Sequence, residues 1–271
     1  MMELLAGRLT LRQHRDLLVT AGWLSLLLGC LHYDLAQRER AEAARQAAYQ
    51  MDKQAGHNEI MGWAYEMSAW FALTEHRYEE PAMAAQAGQD VAGVSSAGVQ
   101  LTLQEARGDA RAGDRRAADQ ALKRGGTILS KVPIPAHPEH HFVFDHSKWI
   151  FYAATCYTFL GDDDRAEEHA LEVITQHQRP DGTSKAPMRT TDAKIDLGMV
   201  YARRGELDAA ADYGDAAFDF DRKSLADLVD RAGNLDQLLQ VRYPGERLAQ
   251  RFHERYLDAQ QALGTGTHAS G

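Results

Sequence analysis

The sequence has few of the residues that interrupt helices or build disulfide frameworks. It contains 7 prolines and 2 cysteines among 271 residues, and aromatic residues make up 8% of it. Because proline breaks a helix interior, its scarcity favours a nearly all-helical chain. The two cysteines, Cys30 and Cys156, each lie within an apolar helical pattern. They predict buried thiols in a reducing compartment and not a disulfide framework.

The common motifs of catalysis are also missing. The sequence has no G-x-S-x-G nucleophile motif, no glycine-rich phosphate loop and no C-x-x-C pair. We therefore expect a protein that is not an enzyme and needs no cofactor. Positive charge is scarce as well, since the net charge is −9 at pH 7. Contacts to phosphates need clustered lysine and arginine, so this balance argues against broad nucleic-acid binding by the chain.

A long apolar run near the N-terminus admits two interpretations. It ends in Leu27-Leu28-Gly29-Cys30, which is typical of a bacterial lipoprotein cleavage site and would place the protein outside the cytoplasm. Against this, Asp16 abuts the run, and the apolar pattern continues through Tyr33 and Leu35. The run is also shorter than the ~20 apolar residues of a membrane span. We expect a helix of a cytoplasmic protein that does not enter a membrane.

The stretch 194–217 has the pattern of two helices joined by a tight turn. Its first half has apolar residues at helical spacing, and Gly205 ends that helix because glycine adopts the left-handed conformation without steric cost. The second half places Ala210, Gly214 and Ala217 on one face, all small enough for two helices to approach closely. This order of residues resembles the tetratricopeptide repeat.

The same order recurs along the chain. The predicted turn between the two helices of each unit lies at Ala36, His76, Gly113, Gly161 and Gly205. Successive turns are 40, 37, 48 and 44 residues apart. These spacings exceed the ~34 residues of a strict tetratricopeptide repeat, so the units have longer helices or connections. We predict repeat units near 11–55, 59–92, 98–130, 146–178 and 187–220. A C-terminal cap of two helices follows at 224–262, with Ser224 as an N-cap.

The predicted fold is thus all-α: a right-handed superhelix of about five tetratricopeptide-like helix-turn-helix repeats with a C-terminal helical cap. Residues 1–262 would form this single domain. Residues 263–271 would be a disordered tail, since they are small, polar and terminal.

In such an array the first helix of each pair lines a concave groove. Mixed aromatic and charged residues on a concave wall suit a peptide or a small amphipathic ligand. For Trp70 plain core packing is an equal alternative. For Glu66, Arg107 and Lys148 a solvated face or an ion pair within the array is favoured over direct ligand contact. The predicted groove residues are Tyr33, Glu66, Trp70, Arg107, Arg111, Lys148, Tyr152 and Met199.

The connection between the third and fourth units is rich in histidine. His137, His140 and His141 have i, i+3, i+4 spacing, and Asp145 follows, so imidazole and carboxylate groups could converge on zinc or iron. A proline interrupts them, however, and there is no H-E-x-x-H pattern. These four residues are weak metal candidates, and we predict no metal site. The alternative is a loop that packs histidine and phenylalanine side chains against the groove.

Several runs together suggest a family. They are L-T-L-R-Q-H-R-D-L-L (9–18), G-W-L-S-L-L-L-G-C-L-H-Y-D-L (22–35), A-W-F-A-L-T-E-H-R-Y (69–78), A-H-P-E-H-H-F-V-F-D (136–145) and L-G-D-D-D-R-A-E-E-H-A (160–170). They resemble the C-terminal tetratricopeptide-like region of Xre-type helix-turn-helix transcriptional regulators of high-GC bacteria. The resemblance covers nearly all of residues 1–262, and the usage of 23 arginines against 7 lysines fits such a genome.

The family usually has a DNA-binding helix-turn-helix domain before this region, and nothing before Leu9 could hold one. DNA binding is therefore not carried over, whether the chain is a fragment or a stand-alone sensor. The resemblance implies effector sensing and dimerisation. We expect a regulatory domain that binds a peptide, a small molecule or a partner protein in the groove. The alternatives are a protein–protein interaction scaffold without a small ligand and, with less support, a metal-dependent enzyme that uses the histidine cluster.

Overall fold

The described residues form an all-helical structure. The computed structural model describes residues 9–77, 80–137, 140–219 and 225–268, which contain no strand and one isolated β-bridge, between Gln178 and Ser184. The all-α prediction is confirmed. The helices are α1 (Leu11–Asp34), α2 (Arg38–Ala55), α3 (Asn58–Thr74), α4 (Glu80–Ala92), α5 (Ser96–Arg111), α6 (Arg115–Leu129), α7 (His146–Phe159), α8 (Asp163–His177), α9 (Pro187–Arg204), α10 (Leu207–Ala217), α11 (Leu225–Arg242) and α12 (Arg247–His268).

The five predicted turn positions all adopt a left-handed backbone. Their φ angles are 58° at Ala36, 59° at His76, 79° at Gly113, 67° at Gly161 and 92° at Gly205. Such a residue reverses the chain after a helix and satisfies the last carbonyl groups. At Gly205 the N–H donates to the carbonyl oxygen of Ala202, which ends α9 as predicted.

The chain divides into two compact units. Unit 1 comprises Met1–Tyr33, Gln37–Ala112 and Arg116–Asp145, and unit 2 comprises Asp34–Ala36, Gly113–Arg115 and His146–Gly271. The sequence alone predicted one repeat domain over 1–262. Each unit has a hydrophobic core of its own, so we describe each by itself.

In unit 1 small residues allow the helices to approach closely. A Cβ atom added at Gly29 of α1 would lie 2.5 Å from the Cε atom of Met67 on α3. One added at Gly88 of α4 would lie 2.8 Å from Leu101 on α5. Larger side chains would hold these helices apart, so Gly29 and Gly88 are positions of close helix packing.

In unit 2 glycines likewise allow the helices to approach closely. A Cβ atom at Gly198 of α9 would lie 2.7 Å from Leu235, and one at Gly214 of α10 would lie 2.6 Å from Phe252. Leu235 and Phe252 belong to α11 and α12, the two helices predicted as a cap, and both are fully buried. The predicted N-cap of α11, Ser224, lies outside the described residues.

The last helix is longer than predicted. α12 continues to His268, so the disordered tail predicted from residue 263 is wrong for residues 263–268. No proline stops the helix there, and a glycine in a helix costs only about 1 kcal/mol relative to alanine. Residues 269–271 lie outside the described part of the chain.

Helix α1 is long and apolar. Among the described residues it is the one helix whose length and mean hydropathy of 1.3 would allow it to cross a membrane, with 39% of that window buried. We expected this apolar run to be too short to span a membrane. By the length and composition of α1, that expectation is wrong. A core helix or a signal sequence passes the same test. Four leucines of α1 contribute to its apolar character and form an exposed row on its surface. They are Leu24, Leu27, Leu28 and Leu31, and their exposed fractions are 41–51%.

Candidate functional site

The predicted groove residues of unit 1 lie on α1, α3 and α5, next to the segment 140–145. We call this surface the α1–α3–α5 face; it comprises Trp23, Cys30, Tyr33, Trp63, Glu66, Trp70, Gln100, Gln104, Arg107 and Arg111. Every residue of α5 from Ala97 to Gly108 is buried. A helix that is buried all round is usually apolar, so the polar residues of α5 need an explanation.

The aromatic part of this face holds the segment 140–145. Phe142 is 6% exposed, and its ring centroid lies 5.2 Å from that of Trp23 and 5.4 Å from that of Trp63. Phe144 is also buried, and its N–H donates to the Oγ of Ser96 at 3.0 Å. The histidine-rich connection thus packs phenylalanine side chains against the face, in agreement with the alternative given for it.

A second aromatic group surrounds Tyr33, which is 1% exposed. Its ring stacks on Phe71 at a centroid distance of 4.6 Å and contacts Trp70 at 4.2 Å. The Arg38 guanidinium lies 3.6 Å above the other side of the ring, and the Tyr33 hydroxyl bonds to the Thr74 hydroxyl. Tyr33 is therefore a buried packing residue, and Trp70 is half-buried against it.

A row of buried polar side chains connects the predicted charged residues. The Oε1 atom of Glu66 accepts hydrogen bonds from the amides of Gln100 at 2.9 Å and Gln104 at 2.6 Å. Gln104 in turn accepts from Nη1 of Arg107 at 3.1 Å. One turn further, Arg111 donates to the carbonyl oxygen of Leu73 at 3.2 Å. The structure thus brings Glu66, Arg107 and Arg111 to one wall.

The two glutamines of this row were not predicted as site residues, although the sequence contains a signal for them. Gln100, Gln104, Arg107 and Arg111 follow the spacing i, i+4, i+7, i+11 of one helix face. That spacing marks a polar stripe on a helix whose other residues are buried. Burying polar groups is costly unless they are hydrogen-bonded, and here they bond to one another.

The opposite side of α5 carries a second buried carboxylate. Glu105 accepts hydrogen bonds from the amides of Gln86 at 3.1 Å and Gln89 at 2.8 Å, and pairs with Arg124 at 2.7 Å. This side faces α4 and α6, away from the α1–α3–α5 face. Glu105 therefore provides a matched comparison for Glu66.

The histidines lie at the edge of the segment. His137, His140 and His141 are exposed, and the Nδ1 of His140 accepts from the N–H of Phe142 at 3.2 Å. Asp145 is half-buried. Within the ranges that the structure describes, no three His, Cys, Asp or Glu side chains are grouped so that they could hold a metal ion.

The other three predicted groove residues belong to unit 2. Lys148 is half-buried, and Tyr152 is buried with its ring 5.1 Å from that of Phe151. Met199 is part of the core that contains Leu228 and Leu235. The predicted set of eight is therefore divided between the two units, five in unit 1 and three in unit 2.

Unit 2 contains a buried ion pair that the sequence analysis missed. Nη2 of Arg231 lies 2.7 Å from Oδ1 of Asp196, and the two side chains are 2% and 0% exposed. Thr155 donates to Oδ2 of Asp196 at 3.3 Å. The three residues are far apart in sequence, on α7, α9 and α11, so helical spacing could not indicate their contact.

The charges of this pair depend on their surroundings. Burial alone would lower the pKa of Arg231, but the carboxylates of Asp196, Asp192, Asp227 and Asp230 raise it, so the guanidinium stays charged. Burial raises the pKa of Asp196, and the adjacent guanidinium opposes that change. The pair can therefore remain ionised in the core, each member dependent on the other.

No family model, curated protein or solved structure matches the chain. The described residues define an all-α protein in which unit 1 holds the segment 140–145 of its own chain against helices α1 and α3. The resemblance to the Xre-type regulators stays a prediction.

Proposed function

We propose that the chain is a regulatory domain that binds a peptide, a small molecule or a partner protein on the α1–α3–α5 face. The proposal includes the finer fold prediction, a right-handed superhelix of tetratricopeptide-like repeats. It also includes a cytoplasmic location, a homodimer, and transfer of the ligand signal to a DNA-binding partner or domain. A ligand that prefers one conformation of the helical array would shift its population.

One observation carries the proposal. The α1–α3–α5 face accommodates residues 140–145 of its own chain, with Phe142 against Trp23 and Trp63 and a main-chain hydrogen bond from Phe144 to Ser96. Aromatic anchors in a pocket combined with main-chain hydrogen bonds are typical of peptide recognition. A surface that binds this segment has the chemistry to bind a separate peptide of similar character.

The row of polar side chains supports an amphipathic ligand. Glu66, Gln100, Gln104 and Arg107 offer carboxylate, amide and guanidinium groups fixed by mutual hydrogen bonds. Groups that are held in place before binding lose little conformational entropy when a ligand binds. A ligand with one apolar and one polar side would match the two parts of this face.

The test compares two buried carboxylates by native mass spectrometry of protein isolated from its own host. For wild type we expect a species heavier than the 30.1 kDa chain, because a bound molecule or partner persists. Glu66→Gln, which changes the charge on the α1–α3–α5 face, should lose that species. Glu105→Gln, which makes the same change on the opposite side of α5, should keep it.

The outcomes separate the hypotheses. Loss of the bound species from Glu66→Gln alone supports the proposal. Equal loss from both variants would show that the change acts through the stability of unit 1, and a bare monomer in all samples would contradict binding. The spectrum also distinguishes an organic adduct, which supports the sensor, from a protein partner, which supports the scaffold.

The row of leucines on α1 favours the scaffold hypothesis and the expected homodimer. Leu24, Leu28 and Leu31 are spaced by four and three residues, the seam spacing of two packed helices. We expect Leu28→Glu to shift sedimentation equilibrium from dimer to monomer. The control is Met83→Glu, which places the same charge at an exposed apolar position of α4. A wild-type monomer, or dissociation of both variants, would contradict a seam at α1.

A further inference from the structure

One nucleophile of the α1–α3–α5 face has no place in the proposed ligand binding. The Sγ atom of Cys30 lies 3.3 Å from the Nε2 atom of His141. Cys30 is 6% exposed, whereas His141 is exposed at the edge of the segment 140–145. A thiol next to an imidazole can transfer its proton to the ring, and the thiolate is the nucleophilic form of cysteine.

The packing of the segment fixes this imidazole beside the sulfur. The His141 ring meets Phe142 edge to face, with a centroid distance of 4.9 Å and an interplanar angle of 89°. Phe142 is itself held between Trp23 and Trp63. The anchor Phe142 is therefore buried, while the adjacent His141 is exposed.

The second cysteine provides a contrast within the same chain. Cys156 lies on α7 and is 0% exposed. Its neighbours in the helix are apolar or small residues. Both cysteines are buried, and the contact with an exposed imidazole is the observed feature of Cys30, so peptide mapping can compare the two thiols in one sample.

We propose that Cys30 is a modification site for small soft electrophiles of the α,β-unsaturated carbonyl class, with His141 as its base. The thiol proton passes to Nε2 of His141, and Sγ forms a bond to the β-carbon of the electrophile. The electron pair of the C=C bond moves to the α-carbon, which takes the proton from the imidazolium. No leaving group, oxidant or reductant is needed.

The modification has a mechanical consequence. A carbon substituent on Sγ cannot occupy the 3.3 Å between Sγ and Nε2, so His141 must move away from Cys30. Phe142 follows His141 in the chain and would be drawn from its site between Trp23 and Trp63. Modification of Cys30 would therefore open the α1–α3–α5 face. The chemical step itself does not depend on the ligand binding proposed above.

The test uses N-ethylmaleimide on the folded full-length chain, with peptide mapping to follow each cysteine. We expect Cys30 to be modified at least about tenfold faster than Cys156, because an exposed imidazole lies 3.3 Å from its Sγ atom. His141→Gln should slow the modification of Cys30 by about tenfold. The matched control is His140→Gln, which removes the adjacent exposed histidine whose Nδ1 bonds to the main chain and not to sulfur.

Tryptophan fluorescence provides a second measurement. In wild type it should change in parallel with modification of Cys30, because Phe142 leaves two indole rings. Equal rates at Cys30 and Cys156 would overturn the proposal. So would an unchanged or higher Cys30 rate in His141→Gln, since the histidine would then act as a cover and not as a base. Circular dichroism and an unmodified Cys156 verify that each variant is folded.

Discussion

Each unit of the molecule buries a carboxylate in its helices, and the groups that bond to Glu66 in unit 1 differ from those that bond to Asp196 in unit 2. In unit 1 the carboxylate of Glu66 accepts hydrogen bonds from two neutral amides, those of Gln100 and Gln104. In unit 2 the carboxylate of Asp196 is satisfied by a guanidinium, that of Arg231, at 2.7 Å in a site that excludes water. Amide dipoles thus stabilise the charge of Glu66, whereas a full opposite charge lies against Asp196.

The difference indicates which unit can change its contacts. A hydrogen bond from an amide to a carboxylate has a net value of about 1.5–3 kcal/mol, and an incoming donor that replaces the amide restores most of it. Separating a buried ion pair leaves a bare charge in the core, which costs about 3–5 kcal/mol. The arrangement in unit 1 suits a surface that exchanges partners, and that in unit 2 suits a fixed core.

The largest expected effect tests this contrast directly. Arg231→Met leaves Asp196 without its counter-charge, and we expect it to destabilise unit 2 by about 3–5 kcal/mol. Gln104→Met removes one of two amides from Glu66 and should destabilise unit 1 by about 1–3 kcal/mol. Urea unfolding with hydrogen exchange read by mass spectrometry assigns each loss to its helices.

The double variant Asp196→Leu, Arg231→Met is the control for this prediction. Replacing a whole buried ion pair by apolar residues is often neutral, so the double variant should regain most of the stability. If Arg231→Met lowers the free energy of unfolding no more than Gln104→Met does, Asp196 does not depend on its partner more strongly than Glu66 does.

An intermediate effect compares two glycines at helix crossings. A Cβ at Gly214 would meet the buried ring of Phe252 at 2.6 Å, and a ring cannot yield, so Gly214→Ala should cost about 1–3 kcal/mol. A Cβ at Gly29 would meet the terminal methyl of Met67 at 2.5 Å, which can rotate away. Alanine also gains about 1 kcal/mol of helix propensity, so Gly29→Ala should be close to neutral.

Thermal unfolding of the two glycine variants provides the measurement. The expected order is a clearly lower transition temperature for Gly214→Ala and little change for Gly29→Ala. Equal losses would indicate that the core of unit 1 is packed as rigidly as that of unit 2.

The smallest effect concerns two helix caps. Asp162 caps α8, and its hydrogen bonds from Arg165 lower its pKa to about 2 from 3.8. Because the folded pKa is the lower one, the charge stabilises the fold above about pH 4, and this contribution is lost as the pH falls toward 2. Asp162→Asn should therefore differ from wild type at neutral pH and match it near pH 2.

Ser95, the cap of α5 in unit 1, is the neutral counterpart. Its hydroxyl accepts from the N–H of Gly98 at 3.1 Å, so Ser95→Ala should cost about 1 kcal/mol at every pH. Urea unfolding from pH 7 down to pH 2 follows both variants. A pH-dependent loss in Ser95→Ala, or a constant one in Asp162→Asn, would contradict the assignment of charge to these caps.

The local structure was largely predictable from the sequence. Turn positions such as Gly205 follow from residue chemistry within one turn of helix, and α1 begins at Leu11 as predicted. The repeat pattern located the left-handed residues Ala36 and His76. Propensity alone would have missed Ala36, since alanine rarely adopts that conformation, whereas histidine is enriched in it. The sequence analysis ended the last helix before residue 263 because it inferred disorder from small, polar and terminal residues alone, whereas α12 continues to His268.

Contacts over long distances in the sequence were less predictable. Glu66, Arg107 and Arg111 were predicted individually, but the glutamines that join them were not, although their spacing was visible. The contact of Arg231 with Asp196 joins two residues that are 35 positions apart, on α11 and α9. The contact of Cys30 with His141 joins residues 111 apart. Periodicity reports which face of a helix is buried but not which helix covers it.

The exposed leucines of α1 have a consequence for synthesis of the chain. α1 leaves the ribosome before α3, whose Met67 packs against Gly29, has been made. Until then both its covered face and its leucine row, Leu24 to Leu31, are open to water and to other nascent chains. The protein should therefore depend on chaperones early in translation, and slower translation of residues 35–74 should increase its aggregation in cells.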